Sequence, residues 1–235
     1  MLTGRIQQVI IRDGNCPKEG IFAIYKDEGI SSHDVVNVVR KCTGENRVGH
    51  AGTLDPYARG VLVIGVGRAA TRELGEVVKK DKEYLVRVKL GWRSTTDDRE
   101  GRIEQASVSE IPSEDQIRRV LKSFEGAISQ RPPAFSAVKV RGKAAYKLAR
   151  ARKSVSLPPR HVEAKEVELV RYAWPHVDLR LVTSSGFYVR SLARDLGERL
   201  GTGGYMEELE RTRVGEYTKE QAVRLTVLSG SGQQA

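Results

Sequence analysis

Apolar runs of strand length and amphipathic stretches of helix length follow one another along this chain without the strict strand–helix–strand alternation of a parallel, doubly wound sheet. Ile21, Phe22, Ala23 and Ile24 read as a short buried strand. Ser31 and Ser32 then offer an N-cap to a helix whose Val35, Val38, Val39 and Cys42 fall at i, i+3, i+4 and i+7, and Gly44 stops it. Past a glycine-rich loop, Val61–Gly67 (VLVIGVG) is a second apolar strand. Tyr84, Val86, Val88 and Leu90 alternate with Leu85, Arg87 and Lys89 in a third, half exposed and basic on part of its outer face. Ser113 and Gln116 make a capping box, with Ile117, Val120, Leu121 and Phe124 at helical spacing behind it. Val162–Leu169 and Val177–Leu181 read as two strands of a hairpin around Trp174-Pro175-His176. Val189, Leu192, Ala193, Leu196 and Leu200 predict a helix stopped by Gly201. The expected class is α+β: a mixed, largely antiparallel central sheet with helices packed on it.

Residues 1–18 and the tail Ser229–Ala235 (SGSGQQA) are polar or glycine-rich and are expected to fray. The expected organisation is an N-terminal extension over 1–19, one catalytic domain over 20–228 and a flexible tail over 229–235. A chain of 235 residues that is 39% hydrophobic can build a sizeable core, which excludes disorder of the whole. No run approaches the roughly 20 apolar residues of a membrane helix, and the start lacks the n-region and h-region of a signal peptide, so a cytoplasmic location is expected. Cys16 and Cys42 cannot make a disulfide framework and read as structural thiols. His33, His50, His161 and His176 are scattered without ligand spacing, so no metal site is expected. The 40 Lys and Arg against 30 Asp and Glu give a net charge of +10, which points to a polyanionic partner.

The densest grouping of reactive residue types is Gly49-His50-Ala51-Gly52-Thr53-Leu54-Asp55-Pro56, on a loop between a helix and an apolar strand. By itself it reads either as a site on a rigid scaffold or as a compact turn begun by Asp55-Pro56. In Ser184–Gly197, small polar residues open a helix with Arg190 in its first turn, where a guanidinium can reach a carboxylate in a loop above; Arg194 and Asp195 read as a solvated surface pair. The third segment runs from Arg131-Pro132-Pro133 through Lys139 to Arg150. Its basic residues interleave with aromatics, which suits either RNA binding or a basic exposed helix.

Together these segments resemble the TruB family of bacterial tRNA pseudouridine-55 synthases. The matching blocks are Lys26–Ser32, Gly49–Arg72, Lys82-Glu83-Tyr84, Arg131–Arg150, Ser184–Glu198 and Leu209–Gly215, in order and in register over residues 20–225. The resemblance implies the pseudouridine synthase fold and an isomerase that needs no cofactor and no metal. Its partner is the T-arm stem-loop of tRNA; no membrane and no obligate protein partner are implied, and a monomer is expected.

Residue by residue, the resemblance makes Asp55 the nucleophile, Arg190 its ion-pair partner, and Tyr84 a stacking platform for the base and a possible proton acceptor. His50 takes the flipped base's place in the T-loop, Lys26 supports the site and Leu209 walls it. Arg141, Lys143, Lys147 and Arg150 are the expected phosphate contacts. Two departures stand out: Phe135 replaces a common tyrosine, and about twenty residues remain after the ERTRVGEY block, fewer than the PUA-type RNA-binding domain of many bacterial members needs. Three alternatives remain: a catalytically silent RNA-binding or RNA-folding module, a relative that works in guide-RNA particles, and a nucleoside hydrolase, which would need a second carboxylate.

Overall fold

The computed structural model describes residues 8–11, 17–136, 138–140, 143–145 and 157–228. The chain divides into two units, Met1–Lys80 with Glu210–Ala235, and Asp81–Leu209. In chain order the first unit supplies β1 (Gln8–Ile11), β2 (Gly20–Lys26), α1 (Ser32–Thr43), β3 (Val48–Ala51), β4 (Arg59–Val66) and α2 (Arg68–Lys79). The second begins with β5 (Lys82–Leu90), β6 (Trp92–Ser94), β7 (Ile103–Gln105), α3 (Glu114–Lys122) and β8 (Gly126–Gln130). It continues with β9 (Lys139–Val140), β10 (Lys143–Ala144), β11 (Arg160–Ala173), β12 (His176–Thr183) and α4 (Val189–Arg199). Strand β13 (Gly204–Val214) starts in the second unit and ends in the first, which closes with β14 (Tyr217–Thr218) and β15 (Val223–Leu228).

In the first unit, β2 runs antiparallel to β4 from Gly20↔Val66 to Lys26↔Gly60, and β3 pairs antiparallel with the same strand. Parallel pairs join β13 to β4 at Glu210↔Arg59 and β15 to β2 at Val223↔Ile24, making the sheet mixed. The run VLVIGV is apolar without alternation because both faces of β4 are buried. On one face, Leu74 and Val77 of α2 pack with Ala23, Val61, Val63 and Val214. Ser31 caps α1 in a reciprocal box with Asp34, and Gly44 ends the helix at φ 72°. The buried stripe of α1 is Ser32, Val35, Val36 and Val39; Val38 is half-buried and Cys42 exposed. Both stripes satisfy the helical period, and in the buried one the Ser32 hydroxyl is bonded to the Leu54 backbone. The segment expected to fray also differs: Gln8–Ile11 (QVII) pairs antiparallel with β15, from Gln8↔Leu228 to Ile11↔Leu225.

The second unit is a ladder of antiparallel pairs: β8 with β11, β11 with β12 and β12 with β5. The buried positions of β5 alternate as its sequence predicts. Its basic outer positions are matched by acids: Arg87 meets Asp178 at 2.7 Å and Glu208 at 3.4 Å, and Lys89 meets Glu207 at 3.4 Å. Helix α3, capped by Ser113 and Gln116, buries Ile117 and Leu121, with Phe124 buried just beyond it, and packs on β11. Both units are therefore α+β. Among the described residues no helix is long and apolar enough to cross a membrane.

Helix α4 comes so close to the start of β13 that a Cβ on Gly197 would lie 2.1 Å from the Gly203 carbonyl carbon and 2.2 Å from the Gly204 nitrogen. Both obstacles are backbone, so no rotamer relieves them. Gly197→Ala is expected to destabilise the protein by about 3 kcal/mol or more, read as the loss of urea midpoint at unchanged slope. A midpoint equal to wild type would show that the helix can move away.

Candidate active site

The Gly49–Pro56 octet leaves β3 and re-enters the sheet at β4, and its backbone is gripped from three sides. The buried Arg211 of β13 donates from Nη2 to the Gly52 carbonyl at 2.9 Å and from Nε to the Val61 carbonyl at 2.8 Å. Ser32 Oγ donates to the Leu54 carbonyl at 3.0 Å and accepts from the Leu54 amide at 2.9 Å. Lys26, 0% exposed, donates from Nζ to the carbonyls of Ile30 at 2.8 Å, Asp27 at 3.0 Å and Pro56 at 3.1 Å. The residues on either side of Asp55 are thus fixed through backbone atoms, while its half-buried carboxylate accepts from the Tyr57 hydroxyl at 3.3 Å. Gly60, at φ +114°, is required for this closure: a Cβ there would lie 2.2 Å from the Arg211 carbonyl oxygen.

Charge around the loop is set by burial. Desolvation lowers the Lys26 ammonium from 10.5 to about 8, against the pull of Asp55 and Asp27 and with the help of Arg211. His50 is half-buried; desolvation first, then Arg211 and His33, push its imidazole below its ordinary value, so the ring is neutral at neutral pH. Its buried Nδ1 has no hydrogen-bond partner among the described residues. A neutral ring can stack without a charge to desolvate.

The Lys26 shift makes a pH prediction. The unfolded chain holds the Lys26 proton up to about 10.5 and the folded chain releases it near 8, so between these values the unfolded state binds more protons. Stability of the wild type relative to Lys26→Met therefore rises with pH across that window, by up to about 3 kcal/mol. Melting curves of both proteins at pH 7, 9 and 10 measure it. A difference independent of pH would mean that the ammonium bears no desolvation penalty.

In the second unit, Tyr84 is buried on β5 opposite Leu181, and Leu209 is buried on β13. Arg190 occupies the first turn of α4. It donates from Nη1 to Asp98 Oδ2 at 3.0 Å and from Nη2 to the Phe135 carbonyl at 2.9 Å. Position 135 thus serves through its backbone, whichever aromatic ring it carries. Asp98 is buried and also accepts the Glu100 amide at 3.0 Å. Gln130 ties the start of α4 to β8, accepting from the Tyr188 amide at 2.8 Å and donating to its carbonyl at 3.0 Å. Arg194 and Asp195 are not a solvated pair: Arg194 also reaches Asp97 Oδ2 at 2.9 Å and the Arg131 carbonyl at 3.1 Å.

Of the residues expected from sequence, the structure places His50 in β3, Asp55 on the loop that follows it and Lys26 under that loop, all in the first unit, and Tyr84, Arg190 and Leu209 on regular elements of the second. Lys143 lies in β10. Arg141, Lys147 and Arg150 lie outside the described residues. Sequence reading missed Arg211, Asp98 and Gln130; the first two stand in the charged strings LERTRVG and TTDDREG, which gave no sign of which charge turns inward. Among the described residues no cluster of three His, Cys, Asp or Glu side chains could hold a metal ion.

The first unit carries a carboxylate on a loop fixed through its backbone and the second a buried tyrosine and a half-buried arginine on regular elements, and the α+β fold that holds them is that of the pseudouridylate synthases. The TruB family pseudouridylate synthase N-terminal domain matches residues 40–189, and the tRNA pseudouridylate synthase B C-terminal domain matches residues 190–233. The chain belongs to the TruB family and is an isomerase. It is 46% identical over 219 residues to tRNA pseudouridine synthase B of Thermobifida fusca, covering 90% of this chain and 74% of that protein. The protein of the same name from Thermosipho melanesiensis is 44% identical over 204 residues, covering 87% of this chain and 66% of that one. Among solved structures, an H/ACA RNP bound to a substrate RNA containing 2′-deoxyuridine superposes with a TM-score of 0.65 at 26% identity. The match covers 92% of this chain and 60% of that one.

Proposed function

We propose that this chain acts on tRNA, converting the uridine at position 55 of the T-loop to pseudouridine with Asp55 as nucleophile. The observation that carries the proposal is the anchoring of the octet: Leu54 and Pro56 are held by Ser32 and Lys26 on either side of the Asp55 carboxylate. A group that must meet one sugar carbon repeatedly benefits from such a mount, because misplacement by about 1 Å can lose about 100-fold in rate. The carboxylate bonds to C1′ as the N1–C1′ bond breaks; the base turns, C5 bonds to C1′ as the carboxylate leaves it, the C5 proton is lost and N1 gains one. Atoms balance without a co-reactant.

Arg190 is assigned as the cation that aims Asp55, and Tyr84 as the platform on which the base turns, its hydroxyl near C5. Flipping the uridine forfeits a few kcal/mol of stacking, which the neutral His50 ring offsets by filling the gap in the loop. The curated relatives named above carry tRNA in their names, which favours tRNA over a guide-RNA particle as the setting.

The test is to incubate the purified chain, with no guide RNA, with unmodified tRNA and with an isolated T-arm stem-loop, and to map pseudouridine in each. Conversion at position 55 in both, at similar single-turnover rates, is the expected result. Conversion elsewhere only, or binding without conversion, would replace the assignment by another uridine or by a silent RNA-binding module.

A further inference from the structure

We propose that Arg194 and Asp97 form a second positioning pair for the reaction, one helical turn beyond Arg190 and Asp98, which fixes the aim of Arg190. The inference rests on the function proposed above. Arg190 and Arg194 are four residues apart and so share a face of α4. The loop between β6 and β7 presents Asp97 and Asp98 in tandem to that face: Arg194 Nη1 meets Asp97 Oδ2 at 2.9 Å, and Arg190 Nη1 meets Asp98 Oδ2 at 3.0 Å. The parallel extends to the segment after β8. Arg190 Nη2 donates to the Phe135 carbonyl at 2.9 Å, and Arg194 Nη2 donates to the Arg131 carbonyl at 3.1 Å. Both segments that hold the Arg190 guanidinium are therefore held, a few residues away, by Arg194.

Further contacts make the second grip rigid. Arg194 Nε donates to Asp195 Oδ1 at 2.8 Å, and Ser191 Oγ donates to the same Arg131 carbonyl at 2.8 Å. Asp97 has φ 61°, a left-handed conformation that a residue with a Cβ disfavours, and it is the one non-glycine residue at positive φ among those described. Its backbone is bonded on both sides, from its amide to the Ser94 carbonyl at 3.2 Å and from the Met206 amide to its carbonyl at 3.0 Å. Burial raises the half-buried Asp97 carboxyl, and the Arg194 guanidinium opposes that shift. Without Arg194 the loop relaxes, Asp98 moves, and Arg190 is misdirected although every residue of the proposed chemistry is present.

The experiment compares wild type with Arg194→Gln, Arg194→Lys and Asp97→Asn. It measures single-turnover rate and Kd on the T-arm stem-loop well below the melting midpoint, with hydrogen exchange at the Glu100 and Met206 amides. The rate is expected to fall roughly ten- to hundredfold in Arg194→Gln and Asp97→Asn with Kd within about threefold, to recover partly in Arg194→Lys, and to fall no further when the two changes are combined. Exchange at both amides is expected to quicken. A wild-type rate in Arg194→Gln, unchanged exchange, or a loss in Kd alone overturns the pair: the first two make it a surface feature and the third an RNA contact. A lower melting temperature with an unchanged rate makes it purely structural. Failure of the wild type to form pseudouridine overturns instead the function on which the pair rests, and exchange still reports whether Arg194 holds the loop.

Discussion

Asp55→Asn is expected to fold, to bind the T-arm stem-loop as the wild type does, and to lose at least about 1,000-fold in single-turnover rate. The amide matches the carboxylate in shape and can still accept from Tyr57, but it cannot engage C1′ as an anion. The fold is expected to survive because the loop is held through the Gly52, Leu54 and Pro56 backbone by Arg211, Ser32 and Lys26. One electrostatic side effect has a definite sign. Asp55 favours the charged form of Lys26, so the Asn variant should release the Lys26 proton at a pH below about 8. Rate and Kd measured on the same stem-loop separate chemistry from binding. A rate within about tenfold of wild type would remove Asp55 from the nucleophile's role; a loss in Kd with an unchanged rate would make it a binding residue.

The parts of this fold written in local pattern could be read from sequence. Strand β4 is apolar throughout because it is buried throughout, β5 alternates because one face is covered, and Ser31 and Ser113 announce their helices because capping is a contact between residues three apart. Helix α2 escaped notice: it starts from Gly67 with no side-chain cap, and only Ala70, Leu74 and Val77 of its twelve residues are buried. Strand β13 was hidden by charge, with Glu207, Glu208, Glu210, Arg211 and Arg213 among its eleven residues.

The site divides in the same way. The octet carries its signature in residue types, so His50 and Asp55 could be proposed from their place in a motif. The residues that hold the surrounding segments could not be singled out, because their partners are distant in sequence or are backbone atoms that any residue supplies. Arg211 is buried against the carbonyls of Gly52 and Val61, and Asp98 against Arg190 ninety-two residues away. Arg194 and Asp195 illustrate the error directly: adjacent opposite charges suggest a surface pair until the folded chain brings Asp97 and the Arg131 carbonyl to the same guanidinium.

Arg190 joins the architecture of the second unit to the proposed chemistry, so its substitutions are expected to split into two kinds. Arg190→Ala removes the guanidinium from a buried Asp98 and should destabilise the fold by about 3–5 kcal/mol, because an unneutralised buried carboxylate must be hydrated or protonated. Its lost activity would then mix misfolding with chemistry. Arg190→Lys keeps a positive charge beside Asp98 but has one nitrogen where the guanidinium places two, on Asp98 and on the Phe135 carbonyl. The lysine variant is therefore expected to stay folded, with most of the wild-type melting temperature, and to keep its Kd for the stem-loop within about threefold. Its single-turnover rate should fall by about 100-fold or more, since a point charge neutralises Asp98 without the second nitrogen whose bond to the Phe135 carbonyl fixes where the proposed cation points. A rate within about tenfold of wild type would mean that charge alone is needed at position 190. A loss confined to Kd would turn Arg190 into a phosphate contact, and the cation that serves Asp55 would have to be sought among its neighbours in the first unit, where Arg211 and Lys26 already lie under the loop.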